Sequence, residues 1–484
     1  MKRFAQIFKN TENYSTIVLV SYCTFISIPL LYKPYFWADS FSLIASDNRV
    51  TLDNSLLQVV QNFRPFYALF LHFSGEWFRT TGDLRLMIIA MFTGAIYFSL
   101  LLIRILIFMR FSRLFASFVV LLFLVLPTFQ NYFYDPIMWP MTWTAALVLK
   151  AYLLVNSEGT GKTWIALCLL IVCSLVYQPI YTFFIFLIFL KISQSLLLNR
   201  CAIRDILKAE LATVIVFIRS AIISVGIGSL TLFLYDIERA TRSQFLGDLG
   251  EILEKVKWVG SVIFATFVRP FATNTLSMFI LVSSIVGLCY SLLVLYESIR
   301  LSLRDFLGVM LIPIGGVTSI FPLLIVSQNQ FEFRSIPGLG FASLLWLMTS
   351  MKILFQKLKL SVTNKHLVTI IFTTLMIFNS YLLSRELWIT PTTSRDVVLS
   401  QVKEKAVDVC LVIPKEADSR VKRMGIYSLR TDLVLPWVIE NLTTRDGEKI
   451  EIERVVSSLD YCGQSRFKLD MSDSFNKDPK WWLY

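Results

Sequence analysis

The sequence predicts an all-α protein that crosses a membrane many times and ends in a small α+β domain outside the membrane. Of its 484 residues, 55% are hydrophobic and only 17% are charged, whereas soluble proteins carry roughly 25% charged residues. Apolar runs long enough to cross a bilayer, roughly 17–25 residues each, recur through residues 1–385 and stop there. We therefore divide the chain into a membrane domain, 1–385, and a C-terminal domain, 386–484.

The apolar runs predict about eleven membrane-spanning helices. The region 164–195 is one long span or two, because Pro179 lacks a donor N–H and favours a break there. Counting it as two gives eleven, and counting it as one gives ten. The predicted spans are 15–32, 84–103, 114–129, 137–155, 164–177, 180–195, 210–235, 272–297, 305–327, 338–355 and 367–385.

The distribution of Lys and Arg predicts the orientation. With eleven spans and a cytoplasmic N-terminus, these residues concentrate in the loops on the cytoplasmic side, as the positive-inside rule requires. We therefore interpret the net charge of +12 as an orientation signal and expect no nucleic-acid partner. The loop 33–83 and the C-terminal domain then lie outside.

The C-terminal domain contains two runs typical of strands, "AVDVCLVI" and "KIEIERVV", and the turn signal "RDGE". An oxidising compartment would permit a disulfide between Cys410 and Cys462. Two free thiols are the alternative, and the sequence does not decide between them.

Two acids, Asp39 and Asp47, follow the first span in "YFWADSFSLIASDNR". The aromatic residues around Asp39 favour the headgroup region, where a poorly hydrated carboxylate becomes more basic. This suits a general base that takes a proton from a hydroxyl. Ordinary solvated loop acids are the alternative.

Arg64 and Pro65 lie in a segment that is apolar enough to touch lipid but too polar for a good span. We expect this segment to lie along the interface or to enter the membrane as a half-helix. An Arg at that depth needs an anion, which is either a lipid headgroup or a substrate phosphate gripped through two N–H donors.

Further polar residues cluster where spans end on the outer side, and they suggest a shared cavity for sugar hydroxyls and a phosphate. They are Tyr134, Asp135, Gln178 and Arg334. Arg219 lies inside an apolar run, where it could snorkel or pair internally. The segment 236–270 contains an amphipathic helical stripe that rests on the outer interface or packs against neighbouring spans.

The sequence also makes several chemistries improbable. Only two His are present and no Cys pair has metal-site spacing, so we expect no metal and no other cofactor. The run "SEGTGKTW" lacks P-loop spacing. No cytoplasmic segment could hold a sugar nucleotide, so a sugar transferase of this kind would need a lipid-linked donor.

These motifs resemble the bacterial O-antigen glucosyltransferases of the serotype-converting type, within the multi-spanning GT-C superfamily. The resemblance rests on an acidic motif after the first span, here Ala38-Asp39-Ser40-Phe41, followed by Arg64-Pro65, and on "VYQPIY" in a middle span. Many relatives have paired acids where this chain has Asp39-Ser40, so Asp39 is the sole matched acid.

The resemblance implies transfer of a glucosyl group from undecaprenyl-phosphate-glucose to lipid-linked O-antigen of lipopolysaccharide at the periplasmic face of the bacterial inner membrane. Asp39 would be the general base, and Arg64 and Arg334 would bind the departing phosphate. A donor synthase and a donor flippase would be functional partners, and membrane lipid would surround the chain. An O-antigen polymerase and a transporter of polysaccharide or lipid-linked sugar remain alternatives.

Overall fold

The structure, a computed structural model, is mostly helical in the part of the chain that it describes. Predicted spans 15–32, 272–297 and 367–385 lie outside that part, as does most of 236–270. The described residues are 56–57, 59–77, 84–126, 129, 132, 138–157, 159–198, 203–238, 250, 253–254, 257, 303–321, 337–357, 408–412, 451–456 and 467–470.

Three helical stretches among these residues are long and apolar enough to cross a membrane: Arg85–Phe108, Gln178–Leu197 and Arg204–Leu234. These three helices have the length and apolar composition that the sequence predicts for membrane spans. The helices of the described part are α1 (Pro65–Trp77), α2 (Leu84–Phe108), α3 (Arg113–Val125), α4 (Trp139–Val155), α5 (Thr160–Val176), α6 (Gln178–Tyr181), α7 (Phe183–Leu198), α8 (Ile203–Leu234), α9 (Leu303–Thr318) and α10 (Pro337–Lys357).

Each predicted span that the structure describes in whole or in part overlaps one of these helices, but the boundaries differ. Helix α8 begins at Ile203, seven residues before the predicted span 210–235. Hydropathy detects only the apolar part of a helix, whereas the backbone hydrogen bonds continue through the exposed residues Arg204 and Lys208.

The region 164–195 forms two helices that run in opposite directions. Helix α5 ends at Val176, and its C-cap Tyr177 has an extended backbone (φ −157°, ψ 103°), while Pro179 lies in the first turn of α6. Lys191, midway along α7, donates a hydrogen bond to Asn156, which caps α4 just before α5 begins. The chain therefore returns to the end of the bundle from which α5 started.

Aromatic side chains from four regions of the chain form the centre of the helical core. Phe98 of α2 stacks on Phe129 with ring centroids 4.7 Å apart, and Phe123 of α3 packs against Phe341 of α10 at 4.8 Å. Phe183 of α7 contacts three of these rings. This apolar cluster holds α2, α3, α7 and α10 around one centre.

A buried ion pair joins α7 and α8 at the opposite end of the bundle from Tyr177. The Lys191 Nζ atom lies 2.5 Å from Glu210 Oε1 and from Asn156 Oδ1. The Glu210 side chain is only 3% exposed. Two long-range partners thus stabilise a cation that enters an apolar bundle.

The described C-terminal residues form a three-stranded parallel sheet in the order β2-β1-β3. Its strands are β1 (Asp408–Val412), β2 (Glu451–Val456) and β3 (Phe467–Asp470). Cys410 pairs in register with Arg454 and Lys468, and Cys462 lies outside the described residues. The α+β domain 386–484 and the Cys410–Cys462 disulfide therefore stay predictions.

Replacing Lys191 with Met should destabilise the bundle because it leaves the Glu210 carboxylate buried without a cation. Breaking a buried pair in this way costs about 3 kcal/mol of unfolding free energy. Lys257→Met is the matched control, since its pair with Glu254 is exposed and contributes less than about 1 kcal/mol. Denaturant unfolding in detergent micelles measures both, and equal losses would contradict a stabilising role for the buried pair.

Gly315→Ala and Gly226→Ala should change stability in opposite directions. A Cβ at Gly315 would lie 2.6 Å from Phe189 Cβ, whereas nothing lies within 4 Å of a Cβ at Gly226. Overpacking should destabilise the first variant by about 1–3 kcal/mol. The second should gain about 0.5–1 kcal/mol from the lower conformational entropy of its unfolded state. The same unfolding measurement checks both signs, and a neutral Gly315→Ala would mean that α7 and α9 are not in close contact there.

Candidate functional site

The candidate site begins at a tight turn that places Arg64 in front of helix α1. Phe63 adopts a left-handed backbone conformation with φ 60°, which is unfavourable for an aromatic residue. Its ring packs against Gly228 of α8 so closely that a Cβ at that glycine would overlap it. Pro65 then opens α1, where its missing N–H breaks no helical hydrogen bond. Packing on α8 therefore stabilises the turn that presents Arg64.

The structure brings Arg64 into contact with a residue 114 positions away in the sequence. The Arg64 Nε–H donates a hydrogen bond of 3.0 Å to Gln178 Oε1. The guanidinium carbon of Arg64 lies 4.6 Å from the centroid of the Tyr177 ring, a cation–π geometry. The Arg-Pro motif and the Tyr-Gln motif thus form one cluster, which we call the Arg64 cluster: Arg64, Tyr177 and Gln178.

Gln178 bonds both the side chain and the backbone of the turn that carries Arg64. Its Nε2 donates to the Phe63 carbonyl at 2.8 Å and to the Asn62 carbonyl at 3.4 Å. One amide therefore fixes the position of the turn and the orientation of the guanidinium. These contacts orient the Arg64 side chain.

A second tyrosine, Tyr132, extends the cluster toward the connection between α3 and α4. Its buried ring packs edge-on against Tyr177 at 6.5 Å and against Phe129 at 5.5 Å.

Helix α1 is too short to cross a bilayer and packs on the bundle along one face. Its 13 residues extend about 20 Å, compared with a hydrocarbon thickness of roughly 30 Å. Trp139 Nε1 of α4 donates to Ser74 Oγ at 3.3 Å, while Leu69 and Phe73 on the other face are exposed. This length fits both alternatives that the sequence left open, a helix along the interface and a half-helix that enters the membrane.

The predicted site residues thus divide into two groups. Arg64 and Gln178 are described and lie in contact. Tyr177 belongs to the "VYQPIY" motif that the sequence analysis identified, whereas sequence reasoning missed the positioning residues Phe63 and Tyr132, because nothing local signals a positive φ or a long-range ring contact. The residues outside the described part of the chain are Asp39, Asp47, Tyr134, Asp135, Arg334 and Cys462.

An oriented guanidinium beside a helix turn is suited to binding an anion such as a phosphate. Within the described ranges, no three His, Cys, Asp or Glu residues lie close enough together to hold a metal ion. Comparison of the chain with protein-family models, curated proteins and solved structures finds no match. The functional interpretation therefore depends on the residues of the site.

Gln178→Leu should destabilise the Arg64 cluster by about 1–3 kcal/mol, because it removes the acceptor of Arg64 and leaves the Phe63 carbonyl without its 2.8 Å donor. Gln178→Glu keeps an acceptor for Arg64 but cannot donate to that carbonyl, so we expect an intermediate loss. Unfolding in micelles, combined with Arg64→Ala in a double-mutant cycle, measures the coupling. A coupling energy near zero would mean that the contact contributes nothing to the turn.

Proposed function

We propose that this chain is an integral membrane glycosyltransferase that moves a glucosyl group from undecaprenyl-phosphate-glucose to the O-antigen of lipopolysaccharide. The observation that carries the proposal is the contact between Arg64 and Gln178. It joins two of the motifs on which the resemblance to the GT-C glucosyltransferases rests. A shared site explains why both motifs stand at the same predicted side of the membrane.

Arg64 is assigned to the phosphate of the lipid-linked donor. Its guanidinium is oriented by Tyr177 and Gln178, so little conformational freedom has to be lost when the phosphate binds. As the glycosidic bond breaks, negative charge develops on the departing undecaprenyl phosphate, and a fixed cation stabilises that charge more in the transition state than in the ground state. Arg334 is the second proposed phosphate ligand.

Asp39 is assigned as the general base. The acceptor hydroxyl gives its proton to the Asp39 carboxylate, and the oxygen forms a bond to the anomeric carbon. The bond from that carbon to the phosphate oxygen breaks, so the configuration is inverted and the phosphate keeps the electron pair. Asp47, Tyr134 and Asp135 are proposed to bind sugar hydroxyls.

Gln178 is assigned a positioning role beside its proposed place in the substrate site. Its amide oxygen accepts from Arg64 and its amide nitrogen donates to the preceding backbone. These bonds use both ends of the amide within the protein. Gln178 therefore acts on substrate mainly through Arg64.

The proposed topology places this chemistry outside the cytoplasm. It comprises eleven spans in the bacterial inner membrane, a cytoplasmic N-terminus and a periplasmic α+β domain over 386–484. The opposite direction of α5 and α7, which Asn156 and Lys191 reveal, supports counting two spans in 164–195. The proposed reaction uses no cofactor or metal. A donor synthase and a donor flippase would supply the lipid-linked sugar.

Asp39→Asn should abolish hexose addition to O-antigen, because an amide cannot act as the general base. Arg64→Lys should reduce hexose addition roughly 10-fold or more, because Lys keeps the charge but loses the planar bidentate donors. The measurement is O-antigen structure by mass spectrometry and NMR, in cells that supply lipid-phosphate glucose and a matching acceptor. Lys162→Gln, an exposed cation on α5, is the matched control and should retain activity.

The comparison requires equal amounts of each variant in the membrane. Hexose added equally by the parent and by Asp39→Asn would move the base elsewhere, with Asp47 next. No hexose from the abundant parent protein would contradict the transferase and favour the polymerase or transporter alternatives.

A further inference from the structure

Arg219 lies on the exposed face of helix α8, at the midpoint of its 32 residues. The residues around it on that face are large, apolar and exposed, among them Ile215, Ile218 and Ile222. Within the described part of the chain, Arg219 forms no hydrogen bond or ion pair. The sequence left open whether this cation pairs internally, and the structure places it on the outside of the bundle.

A guanidinium on an apolar helix face is costly in a membrane unless an anion or water compensates it. The Cα–Cβ bond of a helical residue tilts toward the helix N-terminus, so Arg219 can snorkel most readily in that direction. This is the direction of the exposed residues Lys208 and Arg204.

Lys208 and Arg219 occupy the same face of α8. Eleven residues correspond to about three turns, which leaves the two positions only ~20° apart around the axis and ~16 Å apart along it. Arg204 precedes Lys208 by about one turn. We call these three residues the basic face of α8: Arg204, Lys208 and Arg219.

The described acids of α8 near this face do not neutralise it. Asp205 lies at the edge of the face, about one turn from Lys208, and reduces the local charge without cancelling it. Glu210 lies on the opposite side of the helix, where it is buried and paired with Lys191. Three cations and one peripheral acid leave a net positive surface.

We propose that the basic face of α8 binds the phosphate of an anionic glycerophospholipid from the leaflet at the N-terminal end of this helix. The phosphate sits between Arg219 and Lys208, and the acyl chains lie against the exposed isoleucines. A lipid with a net negative headgroup is favoured over phosphatidylcholine, because the choline cation would be repelled by the same basic face. Clusters of Lys and Arg at membrane depth are known to select anionic headgroups in this way.

This site is distinct from the Arg64 cluster. Gly228, which packs on Phe63, is nine residues farther along α8 than Arg219, or about 13 Å. The proposed phospholipid therefore occupies a site separate from that of the sugar donor, and its binding does not require the proposed transferase activity.

The test measures lipid retained by the purified full chain. The protein is exchanged into mixed micelles containing phosphatidylglycerol and phosphatidylcholine in equal amounts, re-isolated, and its bound lipids are quantified by mass spectrometry. The parent should be enriched in phosphatidylglycerol, and Arg219→Gln should retain roughly tenfold less, because a charge-assisted contact to phosphate is lost. Arg219→Lys should keep most of the enrichment, and Lys162→Gln should not change it.

Several results would overturn the proposal. They are equal retention of both lipids by the parent, unchanged enrichment in Arg219→Gln, and an equal loss in Lys162→Gln. If Arg219→Gln does not fold, Lys208→Gln decides, since it should lower phosphatidylglycerol retention several-fold and an unchanged value would contradict the site. If the parent, given equal amounts of undecaprenyl phosphate and phosphatidylglycerol, retains mainly undecaprenyl phosphate and Arg219→Gln loses that preference, the face serves the carrier lipid and the proposal is wrong.

Discussion

A polypeptide can reverse direction within an apolar helix bundle only if the backbone groups released at the turn find other partners. Here the reversal between α5 and α7 occurs at one extended residue, Tyr177. Its N–H still bonds to the Cys173 carbonyl at 2.9 Å, and its own carbonyl accepts from Tyr181 at 3.1 Å. The Thr182 hydroxyl donates to the Pro179 carbonyl at 3.1 Å. With its backbone bonded in this way, the turn is rigid, and the side chains on it have defined positions.

The candidate site depends on this turn. Tyr177 and Gln178 are consecutive, so the ring and the amide that contact Arg64 are fixed relative to each other. Gln178 also bonds the backbone that carries Arg64. The strained φ of Phe63 is maintained by contact with α8 on the other side. A cation presented in this way requires little reorganisation when an anion binds, which is the condition for electrostatic stabilisation of a transition state.

The sequence predicted the helices well because each span has its own run of apolar residues, which hydropathy detects. Hydropathy located α2, α4 and α10 within a few residues, and Pro179 marked the break between α5 and α7. The exposed first turns of α8 were missed, since a window that scores apolarity stops where Arg204 and Lys208 begin. Where a helix continues past its apolar run, hydrogen bonding sets the boundary, and hydropathy does not report it.

The contacts of the site were less predictable than its members. Arg64 and Gln178 were recognised as polar residues in an apolar setting, but their hydrogen bond spans 114 positions and depends on how α1 packs. The buried pair of Lys191 and Glu210 was missed for the same reason, since each residue alone looks like an ordinary loop cation or acid. One sequence shows which residues are unusual for lipid, and only the packed bundle shows which of them meet.

Arg64 and Arg219 show two ways in which a membrane protein accommodates a guanidinium. Arg64 has an aromatic ring and an amide within the bundle, so its orientation is determined by protein contacts. Arg219 stands exposed among isoleucines, where the proposed lipid phosphate would be its partner. Both involve α8. Gly228 supports the turn before Arg64, and Arg219 lies nine residues earlier on the same helix, about 13 Å away along its axis. A lipid bound along the basic face would therefore steady the helix on which the Arg64 turn rests.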